Sequence, residues 1–318
     1  MPQVDVIIPV YNTPDAYTRE ALDSALAQTF RDIRVVVVND GSGEACTAAL
    51  EALIASRDDP RIRYCKSHNR GLAGARNFGI ASSDSPFIAL LDSDDAWYPH
   101  KIERQLELFD LHPAADLIFL SSDLQYGADV AGLRRIPPQP YGVNELGPVR
   151  ACQRMLRGNF VSVNTTMFRR AAAAEVGFFD EQCRTLEDKD LWIRMLLKGK
   201  RFLHFPEVVA IYRIHPSSLS RNPEKMRDGR LRIIGKMDSL VGTGVEWIDR
   251  DWPGLRREML HHAYHEASET YMETGQYLKA LWSVMPWHAG FSGRSARLAA
   301  KAALRTLGLN RGRERIAS

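Results

Sequence analysis

"FIALLDSDDAWYPHK", residues 87–101, is the stretch on which the reading of this chain turns. An apolar run from Phe87 to Leu91 has the length and character of a strand buried on both faces. It ends in Asp92, Asp94 and Asp95, three carboxylates within four residues. Like charges this close repel one another. A cap for a helix starting near Pro99 needs only Asp94 or Asp95. The surplus of negative charge at a strand end points to a cation. In open α/β sheets that end is where ligands bind.

Working outward, "VDVIIPV" (4–10), "IRVVVVN" (33–39) and "RIRYC" (61–65) read as companion strands of "FIALLD" (87–92). They are too continuously apolar for one wet face, so a mainly parallel sheet covered by helices on both sides is expected. Ala21, Leu22, Ala25 and Leu26 make one helical stripe between them; Ala49, Leu50, Leu53 and Ile54 make another. Such alternation builds right-handed βαβ units. The segments after the strands, "PVYN", "NDGS", "SHNRGLAGARN" and "DSDD", then converge on one edge of the sheet.

A helix over about 100–111 leads to a strand at 116–122. Residues 127–148 are rich in Gly and Pro and read as a long functional lid. "VSVNTTMFRR" returns to a strand, and "TLEDKDLWIRMLLKGK" is a helix with Leu191, Ile193, Met195 and Leu196 on its apolar side. After "YRIHPSSLS" and Arg221 the patterns are helical, which suggests a catalytic domain over 1–221 and a helical region with a basic tail over 222–318. In that region Tyr264, Ala267, Tyr271 and Leu278 fit packing positions, while His261, His262 and His265 fit a solvated face. Arg294, Arg297, Lys301 and Arg305 fall on one stripe opposite Ala296, Ala299, Ala303 and Leu307. That pattern suits a surface helix closing the domain or an amphipathic segment on anionic lipid.

The 318 residues are 45% hydrophobic and 25% charged with a net charge of +3, a balance that excludes a chain built to hold nucleic acid. Cys46, Cys65, Cys152 and Cys183 are widely spaced, form no metal-type pair and read as reduced thiols. No run approaches the roughly 20 apolar residues of a membrane span, and "MPQVDVIIPVYN" lacks the basic region and cleavage site of a signal peptide. A cytoplasmic location is expected, with the basic tail allowing a peripheral position on the inner face of a membrane.

The chemistry-bearing residues are few in type. Asp92 and Asp94 offer hard oxygens to Mg²⁺ or Mn²⁺, which commonly bridge carboxylates and phosphates. Asp40 can accept hydrogen bonds from a base or ribose, or form an Asx turn within "NDGS". Arg76, taken to begin a helix after the glycines, can pair with phosphate or with the aspartates. Glu187 and Asp188 sit at a helix N-terminus, as a cap or as a general base. Arg213 and His215 can neutralise a departing diphosphate, His215 also as a further metal ligand.

Taken together these residues resemble glycosyltransferase family two, the inverting transferases of the GT-A fold. "VIIPVYN", "VVVVNDGS", "NRGLAGARNFGI", "LLDSDDAWYPHKIERQ", "VGFFDE", "EDKDLWIRM" and "YRIHPSSLS" occur in that family's order between Val4 and Ser220. The resemblance implies a Rossmann-like α/β fold with a C-terminal helical extension. It implies a nucleotide-diphosphate sugar donor, usually a UDP-sugar, and a hydroxyl of a saccharide or lipid-linked acceptor in surface polysaccharide synthesis. Asp40 matches the base contact, with Pro9, Tyr11 and Asn12 lining the same pocket. Asp92 matches the ribose-side aspartate, Ser93 stands beside it, and Asp94 matches the metal ligand. Asp188 matches the catalytic base, next to Glu187. Trp192 and Arg194 match packing and positioning residues. Lys189 departs from the family's aromatic after the Glu–Asp pair. Two other readings are weaker. A sugar nucleotidyltransferase needs a Gly-rich, Lys/Arg-bearing loop after the first strand, where this chain has "PVYNTPDAY". A non-catalytic sugar-binding protein has no use for two acidic clusters.

Overall fold

Four β-branched and aliphatic runs form the parallel half of one sheet: β1 (Val4–Val10), β2 (Ile33–Asp40), β3 (Ile62–Ser67) and β4 (Phe87–Leu90). β1 pairs in parallel with both β2 and β4, and β2 with β3. The computed structural model describes residues 2–126, 132–135, 141–215, 218–273, 275–283 and 293–306. Its chain divides into two compact units, Met1–His215 and Pro216 onward.

In the first unit the connections α1 (Asp15–Leu26), α2 (Glu44–Arg57) and α3 (Gly71–Ala81) cover the parallel half. Ala21, Leu22 and Ala25 of α1 and Leu50 and Leu53 of α2 are buried in the core. At roughly 1.5–3 kcal/mol per buried aliphatic side chain, these stripes are what hold helix to sheet. α3 lies so close to the sheet that a Cβ on Gly79 would stand 2.9 Å from Ile7 Cγ2 and 3.0 Å from Val38 Cγ2.

The other half of the nine-stranded sheet is mixed, in the order β3-β2-β1-β4-β8-β6-β9-β5, with β7 pairing β6 off this path. β8 (Thr166–Arg169) runs antiparallel to both β4 and β6 (Leu117–Tyr126). β6 pairs in parallel with β9 (Phe202–Ile214), which in turn pairs antiparallel with the two-residue β5 (Ala96–Trp97). The expectation of a mainly parallel sheet thus describes one half. After α5 (Pro148–Arg157) a short 3₁₀ turn over Val163–Thr165 leads into β8, which enters in the opposite sense to both of its neighbours. β3 also differs from expectation: it lies at the edge and its residues are mostly half-buried or exposed.

α4 (Lys101–Leu111), α5 (Pro148–Arg157), α6 (Arg170–Ala174) and α7 (Glu187–Leu197) complete this unit. Asp95 does not begin a helix; it precedes β5, and His100 stands at the start of α4. The expected lid at 127–148 falls partly outside the described residues. Within it β7 (Leu133–Arg134) pairs with β6, and Asn144 exchanges two hydrogen bonds with the backbone of His204.

The second unit contains α8 (Pro223–Asp238), α9 (Glu246–Glu273), α10 (Tyr277–Ser283) and α11 (Gly293–Thr306). Asn222 caps α8 by accepting from the Lys225 amide. Ile233, Ile234 and Met237 of α8, and Ile248, Trp252, Leu255 and Met259 of α9, are buried. Ala267, Tyr271 and Met272 form a further apolar cluster with Ala280 and Ala302, against which Leu298 packs. Ala302 and Leu298 of α11 are therefore engaged in packing, while Ala299 and Ala303 are half-buried. Two expectations fail here: Leu278 is largely exposed, and His265 is buried rather than on a wet face. Among the described residues no helix is long and apolar enough to cross a membrane. All four cysteines are free thiols.

Candidate active site

The ends of β1, β2 and β4, α3 and the start of α7 carry the polar residues of the candidate site. After β4 the chain turns, the Asp95 amide donating to the Asp92 carbonyl at 3.1 Å. This turn splits the three aspartates. Asp92 and Asp94 remain partly exposed, with 27% and 30% of their side chains open, while Asp95 is fully buried.

Asp95 is an anchor. Its carboxylate accepts from the Arg213 amide and from Asn164 Nδ2, both at 2.8 Å. Burial, reinforced by Asp94 and Asp92, raises its pKa well above the ordinary range. Asp94 Oδ2 lies 2.9 Å from His215 Nε2, and the His215 ring stacks on Tyr17. Burial and the neighbouring Asp92 raise the Asp94 pKa, against the effect of His215. A carboxylate oxygen and an imidazole nitrogen side by side are two ligand types that a divalent cation accepts, while the Asp92 carboxylate is engaged by Arg76.

Arg213 was expected to meet the diphosphate, but its guanidinium is buried under the loop. It donates to the Asp94 carbonyl and to Glu20 Oε2, each at 2.5 Å, and lies over the Tyr17 ring at 4.4 Å. Its place is behind Asp94, holding the loop rather than facing a ligand.

Arg76 lies in the middle of α3 rather than at its start. It is 1% exposed and donates to Asp92 Oδ1 and Glu187 Oε1, both at 2.6 Å. This one guanidinium ties the aspartate turn to the first residue of α7. Burial pushes the Glu187 carboxyl up to about 7 despite Arg76. Asp188, next along and half-buried, is also raised by burial, against the Lys189 amide, Arg76 and Asn159. Asn159 Nδ2 donates to Asp188 Oδ2 at 2.9 Å. Leu186 enters α7 at φ 56°, a left-handed backbone costly for a branched side chain, and this sets where Glu187 and Asp188 emerge. Lys189 points away from the carboxylates, into the core, donating to the Leu156 carbonyl at 3.2 Å. Trp192 is fully buried against Phe168 and Phe202. Arg194 pairs with Asp190 and donates to the carbonyls of Val176 and Phe178.

At the β1 and β2 ends the residues are arranged differently. Tyr11 is 53% exposed. Asn12, left-handed at φ 50°, accepts from the Gly43 amide at 2.9 Å and so joins the two loops. Ser93 is buried and shares a 2.7 Å hydrogen bond with Thr13. Pro9 is buried within β1 and presents no open surface. Asp40 accepts the Arg70 and Gly71 amides at 2.8 and 3.0 Å, so it receives the start of α3, and burial raises its pKa. The Asx-type turn belongs to Asn39, whose Oδ1 accepts the Ser42 amide at 2.9 Å. Gly41, at φ +74°, is required because a Cβ there would lie 2.6 Å from the Asn69 nitrogen.

Sequence reading missed Asn159, Asn164, Glu20 and Tyr17. Each is an unremarkable residue in its own segment, and only the fold brings it to an aspartate or to Arg213.

Comparison with known proteins gives the family and the fold. The family described as Glycosyl transferase family 2 matches residues 5–176, more than half of the chain. The succinoglycan biosynthesis protein ExoO of Rhizobium meliloti is 33% identical over 271 residues, 82% of this chain and 72% of that protein. The UDP-Glc:alpha-D-GlcNAc-diphosphoundecaprenol beta-1,3-glucosyltransferase WfaP of Escherichia coli is 29% identical over 255 residues, 77% of this chain and 88% of that protein. Uncharacterized glycosyltransferases of Rickettsia felis and Rickettsia conorii are 33% and 32% identical, and the match spans about a third of their length, 34% and 33%. Among solved structures, the mannosyltransferase PcManGT from Pyrobaculum calidifontis in complex with GDP-Man and Mn²⁺ shares the fold. Its TM-score is 0.60 at 18% identity, covering 96% of this chain and 81% of that one. With the sheet, the aspartate turn and the Glu–Asp helix in place, the chain belongs to glycosyl transferase family 2 and its α/β unit has the GT-A fold.

Proposed function

We propose that this chain transfers a sugar from a nucleotide-diphosphate donor to an acceptor hydroxyl with inversion at the anomeric carbon. The observation that carries this reading is Arg76, which joins the Asp92 turn and the Glu187–Asp188 helix start within one cleft. The donor's nucleoside lies toward Tyr11, Asn12 and Asp40, and its diphosphate toward Asp92 and Asp94. Asp94 and His215 would hold Mn²⁺ or Mg²⁺, which when bound would supply charge to stabilise the leaving diphosphate. Asp188 accepts the proton of the acceptor hydroxyl as that oxygen attacks the anomeric carbon. Its raised pKa makes it a better base than an exposed aspartate. Asn159 orients its carboxylate, and Glu187, locked on Arg76, keeps the helix start in position. A single displacement needs no covalent nucleophile.

A saccharide or lipid-linked acceptor in polysaccharide synthesis agrees with the names of ExoO and WfaP. We also propose that the basic side of α11 meets an anionic membrane surface carrying such an acceptor, since Arg297 and Lys301 are exposed. The test of the reaction is Asp188→Asn. It should lower transfer roughly 10²–10⁴-fold while calorimetric donor binding persists. Wild-type-like turnover in that variant removes Asp188 as the base. Release of pyrophosphate instead of a nucleoside diphosphate would identify a nucleotidyltransferase.

A further inference from the structure

Within the second unit, α8, α9 and α10 line an open cavity of about 450 Å³. That volume falls in the range of small-ligand sites, roughly 300–1,000 Å³. Three aromatic residues line it: Tyr264 and Tyr271 from α9 and Trp282 from α10. The Trp282 residue is 62% exposed, an unusual position for so large an apolar surface.

Its polar lining has a distinct character. Glu224 accepts from Lys279 at 3.0 Å and from the Tyr271 hydroxyl at 3.1 Å. Arg227 pairs with Asp228 at 2.8 Å. Each cation is therefore matched by a carboxylate, and the cavity offers no surplus positive charge to a phosphate. It offers donors and acceptors together, beside half-buried Tyr264 and exposed Trp282, while Tyr271 is buried with Lys279 over its ring. A sugar hydroxyl donates and accepts at once, and the C–H face of a pyranose packs on an aromatic ring.

We infer that this cavity is a saccharide-binding site, distinct from the donor cleft of the first unit, that holds sugar residues of the acceptor. This inference deepens the proposed glycosyl transfer, because a transferase acting on a chain gains from gripping units beyond the one that reacts.

The full chain should be applied to a glycan microarray, with hits measured by calorimetry for wild type, Trp282→Ala and Tyr264→Ala. Trp282 is exposed, so its truncation leaves the fold intact, and the thermal shift produced by UDP or GDP with Mn²⁺ serves as the control. The expected result is an oligosaccharide whose Kd rises at least about tenfold in either variant, with the nucleotide shift unchanged and no competition from inorganic pyrophosphate. No array signal dependent on Trp282 and Tyr264, or displacement of the sugar by pyrophosphate, overturns the inference. A wild-type chain that binds the oligosaccharide yet shows no response to any nucleotide would instead contradict the donor reading.

Discussion

Asp188 takes its orientation from Asn159, a residue that carries no charge and makes no claim on attention in "GNFVSV". Its amide holds one carboxylate oxygen, Oδ2, which on the proposed reading leaves Oδ1 as the proton acceptor. Asn159→Ala should lower kcat on the order of 10–100-fold with donor Kd unchanged, since a small misplacement of a reacting group is costly; stopped assays with a donor titration check this. Arg76 is the more expensive residue to lose. Arg76→Met leaves Glu187 buried without its cation, which typically costs 3–5 kcal/mol. Urea unfolding should show that loss, and Arg76→Met with Glu187→Gln should recover much of the stability but not the activity. Asp94, Asp188 and Arg76 drew attention in the sequence because their charges are surplus to local structure, although Arg76 stands mid-helix rather than at the helix start expected of it. Arg213 and Asp95 were misread for the converse reason. Their partners, Glu20 and Asn164, lie far off in the chain, so nothing nearby marks them as buried.

At the level of elements, the apolar runs announced β1, β2, β4 and β6 because strands buried on both faces leave no polar alternation to confuse. β8 and β9 were harder to order. Their antiparallel and parallel pairings depend on how the chain returns, which periodicity does not encode. β9 also carries a pH-sensitive group. Burial pushes the His204 imidazole down to about 4 from an ordinary 6.5. It packs on Phe119 and Tyr141 with centroid distances of 4.7 and 4.6 Å. The unfolded chain therefore takes up this proton before the folded one. The stabilisation is complete above pH 6.5 and is lost as pH falls toward 4. His204→Gln should flatten that part of the stability profile, measured as urea midpoints between pH 7 and pH 4; an unchanged slope would exclude His204 as its source.

For the whole molecule, the uneven charge matters more than its sum. The chain is nearly balanced at +3, yet from Arg294 onward seven Lys and Arg accompany the single acid Glu314. Ala302 and Leu298 of α11 are engaged in packing, while Arg297 and Lys301 are exposed, so an electrostatic contact with lipid is the mode to test. Co-sedimentation with vesicles containing phosphatidylglycerol should fall when Arg297, Lys301 and Arg305 become Gln, by about 1 kcal/mol per charge at low salt. Binding that survives high salt would contradict this electrostatic mode.

Asp95 has its two partners at positions 164 and 213, and the Asp94–His215 contact joins 94 to 215. A nascent chain that has left the ribosome as far as β8 already displays every acid of the aspartate turn. It still lacks the strand that completes them. The turn therefore reaches its finished geometry only when the first unit's final strand is delivered.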